Sequence, residues 1–515
     1  MSHAITSAVL QGISAIPISV EAYVAFGLPK FTIVGLPDTA VQESRERVKA
    51  AIHNSGFSFP DTKISINLAP ADTKKQGPLY DLPIAVAILA DAGIRFRKDD
   101  ITTSVFVGEL GLDGTVRAIS GALSIALMAH EKRFRSVYLP AGNIREASLV
   151  LTAHHEKTLL HLYPLNSLAE LVAHLQGTQK IAPYTPTLDA ATRTTTHDVD
   201  FADINGQIEA KRALEIAAAG GHNILMTGPP GSGKSLMAKA FPSILPAMTQ
   251  EEMIEVTALY SVSSIGTTGE IITERPFRTP HHTTSSIALI GGGNWPKPGE
   301  ISLAHRGVLF LDEFPEFPRT VLENLRQPLE DGEVTVSRLH SATRFPARCV
   351  LIAAQNPCPC GFSGSVGDTC VCTSYQKLAY HKKISGPLLD RIDLFVDVPK
   401  ISWTDLQNTS NNESSTEIRA RVCAARARQL ERYKKIGIFS NAELTITHFS
   451  SYCPLSPASQ RLLAHAMDTT RLSARGYARI LKVSRTIADI AGSESIDETH
   501  ITEALYFRRR IARQQ

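Results

Sequence analysis

Asn223-Ile224-Leu225-Met226-Thr227-Gly228-Pro229-Pro230-Gly231-Ser232-Gly233-Lys234-Ser235-Leu236-Met237-Ala238-Lys239-Ala240 decides the fold. An apolar run of strand length meets G-x-x-x-x-G-K-[ST], and a helical segment follows at once. That order is what separates a phosphate-binding loop from a chance Gly-rich turn. In such a loop the glycines let backbone N–H groups curl around phosphates at a helix N-terminus. Lys234 supplies a point charge for the terminal phosphates, and the Ser235 hydroxyl is a ligand for Mg²⁺. The stretch therefore predicts a buried parallel strand in an α/β domain that binds ATP and Mg²⁺ through Gly228, Pro229, Pro230, Gly231, Ser232, Gly233, Lys234 and Ser235.

About eighty residues on, Gly307-Val308-Leu309-Phe310-Leu311-Asp312-Glu313 is a second apolar strand, ending in two carboxylates. Successive strand residues face opposite ways, so the two acids are placed for different tasks. Asp312 is expected to hold Mg²⁺, and Glu313 to act as general base on the attacking water. By itself such a pair is an ordinary solvated strand end; the phosphate loop gives it meaning. A third strand, Cys349 to Ala354, runs into Gln355-Asn356-Pro357, where an amide can orient the lytic water. Together these motifs resemble the AAA+ ATPases, in which Asn356 matches sensor 1. The resemblance extends to Gly386-Pro387-Leu388-Leu389-Asp390-Arg391, with Arg391 as arginine finger, and to Leu472-Ser473-Ala474-Arg475, with Arg475 at sensor 2. A finger acts on a neighbouring subunit's nucleotide, so a ring is implied. The alternative for either arginine is a surface ion pair.

Two further stretches, Pro298 to Gly307 and Leu329 to Arg338, resemble the magnesium-chelatase and minichromosome-maintenance branch of that family. The resemblance implies two pore-facing hairpins, a helix-2 insert with Trp295 and Lys297 at its tip and a pre-sensor-1 hairpin turning near Leu339 to Ala342 with Arg338 and His340. Trp and Lys on a Gly-rich loop suit base stacking and phosphate pairing. They equally suit a Trp packed on its own domain beside a solvated Lys. Nearer the N-terminus, Gln76 to Ala85 and Phe106 to Arg117 resemble the proteolytic domain of Lon, a ribosomal-S5-domain-2-like fold. Lon-type chemistry needs Ser and Lys; the matching positions here are Leu79 and Leu123, so the resemblance implies an inactive domain.

In this order, the segments are similar to the ComM (YifB) family. That similarity implies a hexameric, ATP-driven helicase on single-stranded and branched DNA, promoting branch migration when recombination follows natural transformation. Two other functions compete: the motor subunit of a magnesium-chelatase-like complex, and an ATP-dependent protease or unfoldase. The Lon-like N-terminal part argues against the first, because the chelatase motor resembles only the second half of the chain. Leu79 and Leu123 argue against the second.

Cys358-Pro359-Cys360 and Cys370-Val371-Cys372 bracket a short polar loop just after Asn356. Four cysteines so crowded resemble a tetrahedral structural Zn²⁺ site, although both pairs are C-x-C rather than the usual C-x₂₋₄-C. Reduced thiols and a redox pair remain as alternatives. The seven cysteines are an odd number, which argues against a disulfide scaffold. A basic run from Arg419 to Lys435 reads either as a solvated helix face or as a surface for DNA or membrane.

The 515 residues exceed one hydrophobic core, and at ~150 residues per domain they suggest about three. Composition agrees: 43% hydrophobic and 20% charged residues are globular proportions. The expected α/β multidomain organisation is a Lon-like domain over 1–176, a Thr/Pro-rich linker over 177–198, an AAA+ P-loop core over 199–400, and a small helical lid over 401–515. A net charge of +3 excludes a global basic field, so DNA contacts must be local. With no signal-like N-terminus and no long apolar run, the expected location is cytoplasmic, with no membrane contact.

Overall fold

The computed structural model describes residues 4–153, 159–186, 198–263, 269–293, 296–338, 341–364, 369–401, 412–470 and 473–508. They form two compact units, one of residues 1–193 with 249–273, the other of 194–248 with 274–515. Segment 249–273 lies by sequence inside the stretch read as the ATPase core, yet its contacts place it in the first unit.

The first unit is built on a seven-stranded mixed sheet. Its strands are β1 (Ala4–Gln11), β2 (Ser14–Ala25), β3 (Lys30–Val34), β4 (Lys63–Ala69), β5 (Ser104–Phe106), β6 (Ser136–Pro140) and β7 (His161–Leu165), in the spatial order β3-β4-β2-β1-β5-β6-β7. Alternation sets the register: in β4, Ile64, Ile66 and Leu68 turn into the core while the residues between them are more exposed. Helices Asp81–Asp91 and Ala122–Glu131 pack against the sheet, and the residues that the Lon resemblance singled out lie at or in them. Leu79, in the turn before the first helix, and Leu123, in the second, are both buried apolar side chains. Their polar neighbours are occupied, since Ser124 Oγ donates to the Ile13 carbonyl at 2.6 Å and Lys75 Nζ donates to that of Pro70.

The inserted helix Gln250–Val262 completes this unit. Thr249 caps it reciprocally with Glu252, each side chain taking the other's N–H. Its far end accepts the Gly121 N–H on Ser261, at 2.9 Å to Oγ, and Ala258 packs against Leu123 and Leu149.

The second unit is built on a five-stranded parallel sheet of β8 (Ile224–Thr227), β9 (Phe277–Arg278), β10 (Val308–Leu311), β11 (Val350–Gln355) and β12 (Leu394–Asp397), in the spatial order β9-β10-β11-β8-β12. Every residue of β8 and β10 is buried, as a parallel sheet covered on both faces requires. The carboxyl ends of β8, β10 and β11 lie side by side, the usual ligand-binding edge of such sheets. C-terminal helices Ser415–Tyr433 and Ala474–Ala491 share one hydrophobic cluster with the sheet, through Ile418, Val422, Ile480 and Ile487 against residues such as Ile224 and Val396. The arginines of the basic run lie on the first of these helices, and several are tied to groups of the same unit, whereas Lys434 and Lys435, just past its end, are exposed. Arg421 pairs with Glu215 and Glu413, Arg426 donates to the Phe439 and Ala218 carbonyls, and Arg432 forks onto Asp489. Among the described residues, no helix is long and apolar enough to cross a membrane.

Candidate functional site

Thr227 ends β8 and the helix Lys234–Ile244 begins seven residues later, so the phosphate loop spans the gap as the sequence predicts. Gly228 is obligatory there, because a Cβ would sit 2.0 Å from the Val398 carbonyl oxygen. Gly233, at φ +92°, turns the chain into the helix. Lys234 is buried, and Nζ donates to the carbonyls of Gly228 and Pro229 at 2.8 Å and to Asn356 Oδ1 at 3.4 Å. Burial pushes its ammonium below the ordinary lysine range, with Asp312 working against that shift. A desolvated cation held by neutral carbonyls is suited to a phosphate.

Ser235 Oγ donates to Asp312 Oδ2 at 2.6 Å. The two predicted Mg²⁺ ligands are thus already side by side, and this hydroxyl and carboxylate fit the hard oxygen preference of the ion. Asn356, the residue matched to sensor 1, follows the end of β11 and accepts from Lys234 at the same edge. Glu313 is held at φ 50°, a left-handed conformation that a non-glycine residue adopts at a cost. Its carboxylate meets His282, whose Nδ1 lies 3.2 Å from Glu313 Oε2. His282 is a contact that sequence reasoning missed; adjacent His281 and His282, whose rings lie tilted with centroids 4.0 Å apart, are the signal that could have drawn attention to it.

The two arginines are brought together elsewhere. Arg391 Nε donates to the Arg326 carbonyl, Nη1 to that of Pro387, and Nη2 to Glu330 Oε2. Arg475, at the start of its helix, donates to the other oxygen of the same carboxylate at 3.1 Å. Beneath them Asp393 is wholly buried, accepting from the Asn223 N–H at 2.9 Å and from Arg479 at 2.5 Å. Burial opposes its charge, yet Arg479 and His222 outweigh that and hold its carboxyl well below the usual range. Asn223 in turn donates to the Arg391 carbonyl and accepts from the Leu351 N–H, tying β8, β11 and the arginine segment together.

Both hairpins are present. Gly291 and Gly292 pair with Pro298 and Lys297, and Glu333–Arg338 pairs antiparallel with Ser341–Pro346. Lys297 is exposed. Trp295 and His340 lie outside the described residues, and Arg338 is described only as the last residue of its strand.

Cys358, Cys360, Cys370 and Cys372 converge, with all four sulfurs within 4.8 Å of one another. The Cys358–Cys360, Cys360–Cys370 and Cys358–Cys370 separations are 3.3, 3.6 and 3.7 Å. Four sulfurs at Zn–S distances of about 2.3 Å in a tetrahedron stand about 3.8 Å apart, so the set fits the ion. Backbone N–H groups of Ser363 and Cys360 donate to the sulfurs of Cys358 and Cys372 at 3.3 and 3.4 Å, which favours thiolates. The Phe362 amide draws the Cys360 thiol down to about 6. This loop adjoins the phosphate loop: a Cβ on Gly361 would meet the Pro230 ring at 2.6 Å.

Comparison with known proteins supports this construction. A family model described as magnesium chelatase, subunit ChlI, matches residues 200–406, and its C-terminal counterpart matches 412–508. A third, subunit ChlI of Mg-chelatase, matches residues 20–143. The expectation that chelatase likeness is confined to the second half is therefore corrected, and the argument built on it falls. Competence protein ComM of Haemophilus influenzae is 42% identical over 505 residues, covering 97% of this chain and 96% of the relative. A protein designated YifB from Salmonella typhimurium is 42% identical over 499 residues, covering 96% and 95%. DNA replication licensing factor mcm2 of Xenopus tropicalis is 26% identical over 168 residues, 30% of this chain and 17% of the relative. Similarity of this extent, end to end, means that the chain belongs to the ComM/YifB family of magnesium-chelatase-like proteins, a family whose members are expected to be ATPases.

Proposed function

We propose that the chain is an ATP-driven ring motor, a hexamer, that moves on single-stranded and branched DNA and promotes branch migration during recombination in natural transformation. The observation that carries this reading is the identity to a competence protein across nearly the whole of both chains. Likeness to a replication licensing factor over part of the chain supports DNA as the track. At the nucleotide site, Lys234 and the loop amides bind and orient the triphosphate, Ser235 and Asp312 hold Mg²⁺, Asn356 positions water, and Glu313 takes its proton. Bound ATP with Mg²⁺ supplies the phosphoryl group whose release drives motion. Arg391 and Arg475 neutralise charge on a neighbour's nucleotide, and Lys297 with Trp295, Arg338 and His340 reaches for DNA in the pore. The first unit, Lon-like but with Leu79 and Leu123 in place of Ser and Lys, serves assembly or substrate contact.

Purified protein with a three-stranded branched DNA tests this. ATP-dependent strand displacement that vanishes in Lys234→Ala is expected; displacement that is absent, or indifferent to that substitution, refutes it. The magnesium-chelatase-like motor remains the second reading, because all three matching family models carry that subunit's description. Co-purification with porphyrin-binding partner subunits, without any effect on DNA, would favour it.

We further propose that the four-cysteine loop holds structural Zn²⁺ and so braces the phosphate loop beside it. Elemental analysis should find one zinc per chain. Cys358→Ser should lose metal affinity by more than the about 10- to 100-fold that outer-shell changes cost. Because thiolates are the ligands, affinity should fall as pH drops below about 7. Protein free of metal with all four cysteines reduced would overturn the assignment.

A further inference from the structure

Arg391 is confined. Each of its three guanidinium nitrogens is engaged within its own chain, and the side chain is 7% exposed. Two of its acceptors, the Arg326 carbonyl and the Glu330 carboxylate, belong to one short helix, Arg326–Asp331. The same carboxylate spans Arg391 with one oxygen and Arg475 with the other. Carboxylate and phosphate oxygens compete for the same guanidinium fork. Glu330 neutralises Arg391 through Nη2 while the Arg326 and Pro387 carbonyls take Nε and Nη1, so the guanidinium is withheld from a phosphate until the helix that carries both Glu330 and the Arg326 carbonyl moves.

The helix bearing Glu330 is also placed to feel the hairpin. Only Gly332, at φ +71°, separates it from the strand Glu333–Arg338. Gly332 is tightly set, with its N–H on the Pro328 carbonyl and its own carbonyl accepting from Ala347 at the far strand's end. Displacement of the hairpin is thereby passed to the helix rather than absorbed in a loose turn. Arg391, Glu330 and Val334 line an open cleft of about 660 Å³ that also includes Ile290, next to the other hairpin, so a released Arg391 has room to move.

We infer that Glu330 is a positioning residue for nucleotide hydrolysis, a latch that holds Arg391 and Arg475 away from the neighbouring subunit's phosphates until movement of the Glu333–Pro346 hairpin withdraws it. The inference deepens the proposed ring motor and rests on Arg391 serving as the finger of that motor.

Steady-state ATPase measurements with and without a single-stranded oligonucleotide test it. Glu330→Gln keeps the shape and removes the charge. Its DNA-free kcat should rise about 5-fold, the low end of coupling strengths, with KM for ATP little changed. The ratio of DNA-stimulated to DNA-free rate should shrink correspondingly. Adding Arg391→Ala to Glu330→Gln should abolish the gain, because the effect passes through Arg391. Glu330→Asp, one methylene short of bridging both arginines, should give a smaller rise, and serves if the glutamine variant loses its fold. A DNA-free rate at or below wild type in whichever of the two folds overturns the latch. Full activity of Arg391→Ala alone would instead overturn the finger reading, so the two failures are distinguishable.

Discussion

Equal mixing of Lys234→Ala protein with Arg391→Ala protein is expected to restore ATP hydrolysis that neither variant performs alone. Lys234 belongs to the phosphate loop of its own chain, bonded to Gly228, Pro229 and Asn356. Arg391 is bonded to another set, Arg326, Pro387 and Glu330. A site composed of one subunit's loop and the next subunit's finger needs each residue from a different chain. Removing a finger costs ~10³ to 10⁵ in rate where such residues have been measured. Removing Lys234 takes away the buried cation on which the phosphates depend, with a loss of at least ~10³ expected on the same electrostatic ground. In a randomly mixed ring about a quarter of the interfaces pair an intact Lys234 with an intact Arg391, so close to that share of wild-type activity should return. Assay of the mixture after subunit exchange checks this. A mixture as inactive as its components would mean that Arg391 does not act across an interface.

Asp393→Asn should destabilise the second unit by about 3–5 kcal/mol, the range for breaking a buried ion pair while leaving its cation behind. Asp393 is buried, and its partners come from two segments: the Asn223 amide with, at 3.7 Å, the adjacent His222, and Arg479. The pH dependence has a definite sign. The carboxyl titrates lower in the folded chain than in the unfolded one. Its contribution is therefore complete above about pH 5 and lost as pH falls through 4 and below. His222 acts on the same acid side but starts earlier. Complete burial pushes its imidazole down, so the unfolded chain takes up the proton first and stability falls below about pH 6.5. Denaturant titrations of wild type and variant across this range should show a gap that is wide at neutral pH and closes in acid. A gap independent of pH would assign the loss to packing instead of charge.

The nucleotide edge was legible because its residues are consecutive. Strand, loop and helix follow one another from Ile224 to Ile244, and local chemistry leaves the chain little choice. The strands from 308, 350 and 394 likewise begin within a residue or two of where their apolar runs start. The cysteine loop was readable for the same reason. What the sequence hides are pairs made by folding, such as Glu330 with Arg475 across 145 residues and with Arg391 across 61. No period or spacing marks a glutamate in Leu329-Glu330-Asp331 as different from its neighbours. The basic run from Arg419 misleads in the opposite sense. Besides the nearby Glu413, its acidic partners Glu215 and Asp489 lie far away in sequence, so arginines tied within the unit read as a free cationic face. The inserted helix was equally hidden, because nothing in its composition shows that its apolar side is completed by Leu123 and Leu149.

That helix has a consequence for dissection of the protein. A gene trimmed to begin at residue 199 would still encode 249–273 but not the partners Leu123, Leu149 and Gly121, and its product would present Ala258 and its neighbours to water. Conversely, proteolysis within 187–197 would sever the peptide bond between the halves without freeing the first, since the helix Gln250–Val262 of the other fragment still belongs to its fold. The chain passes between its two units three times, so its halves are expressed and lost as one.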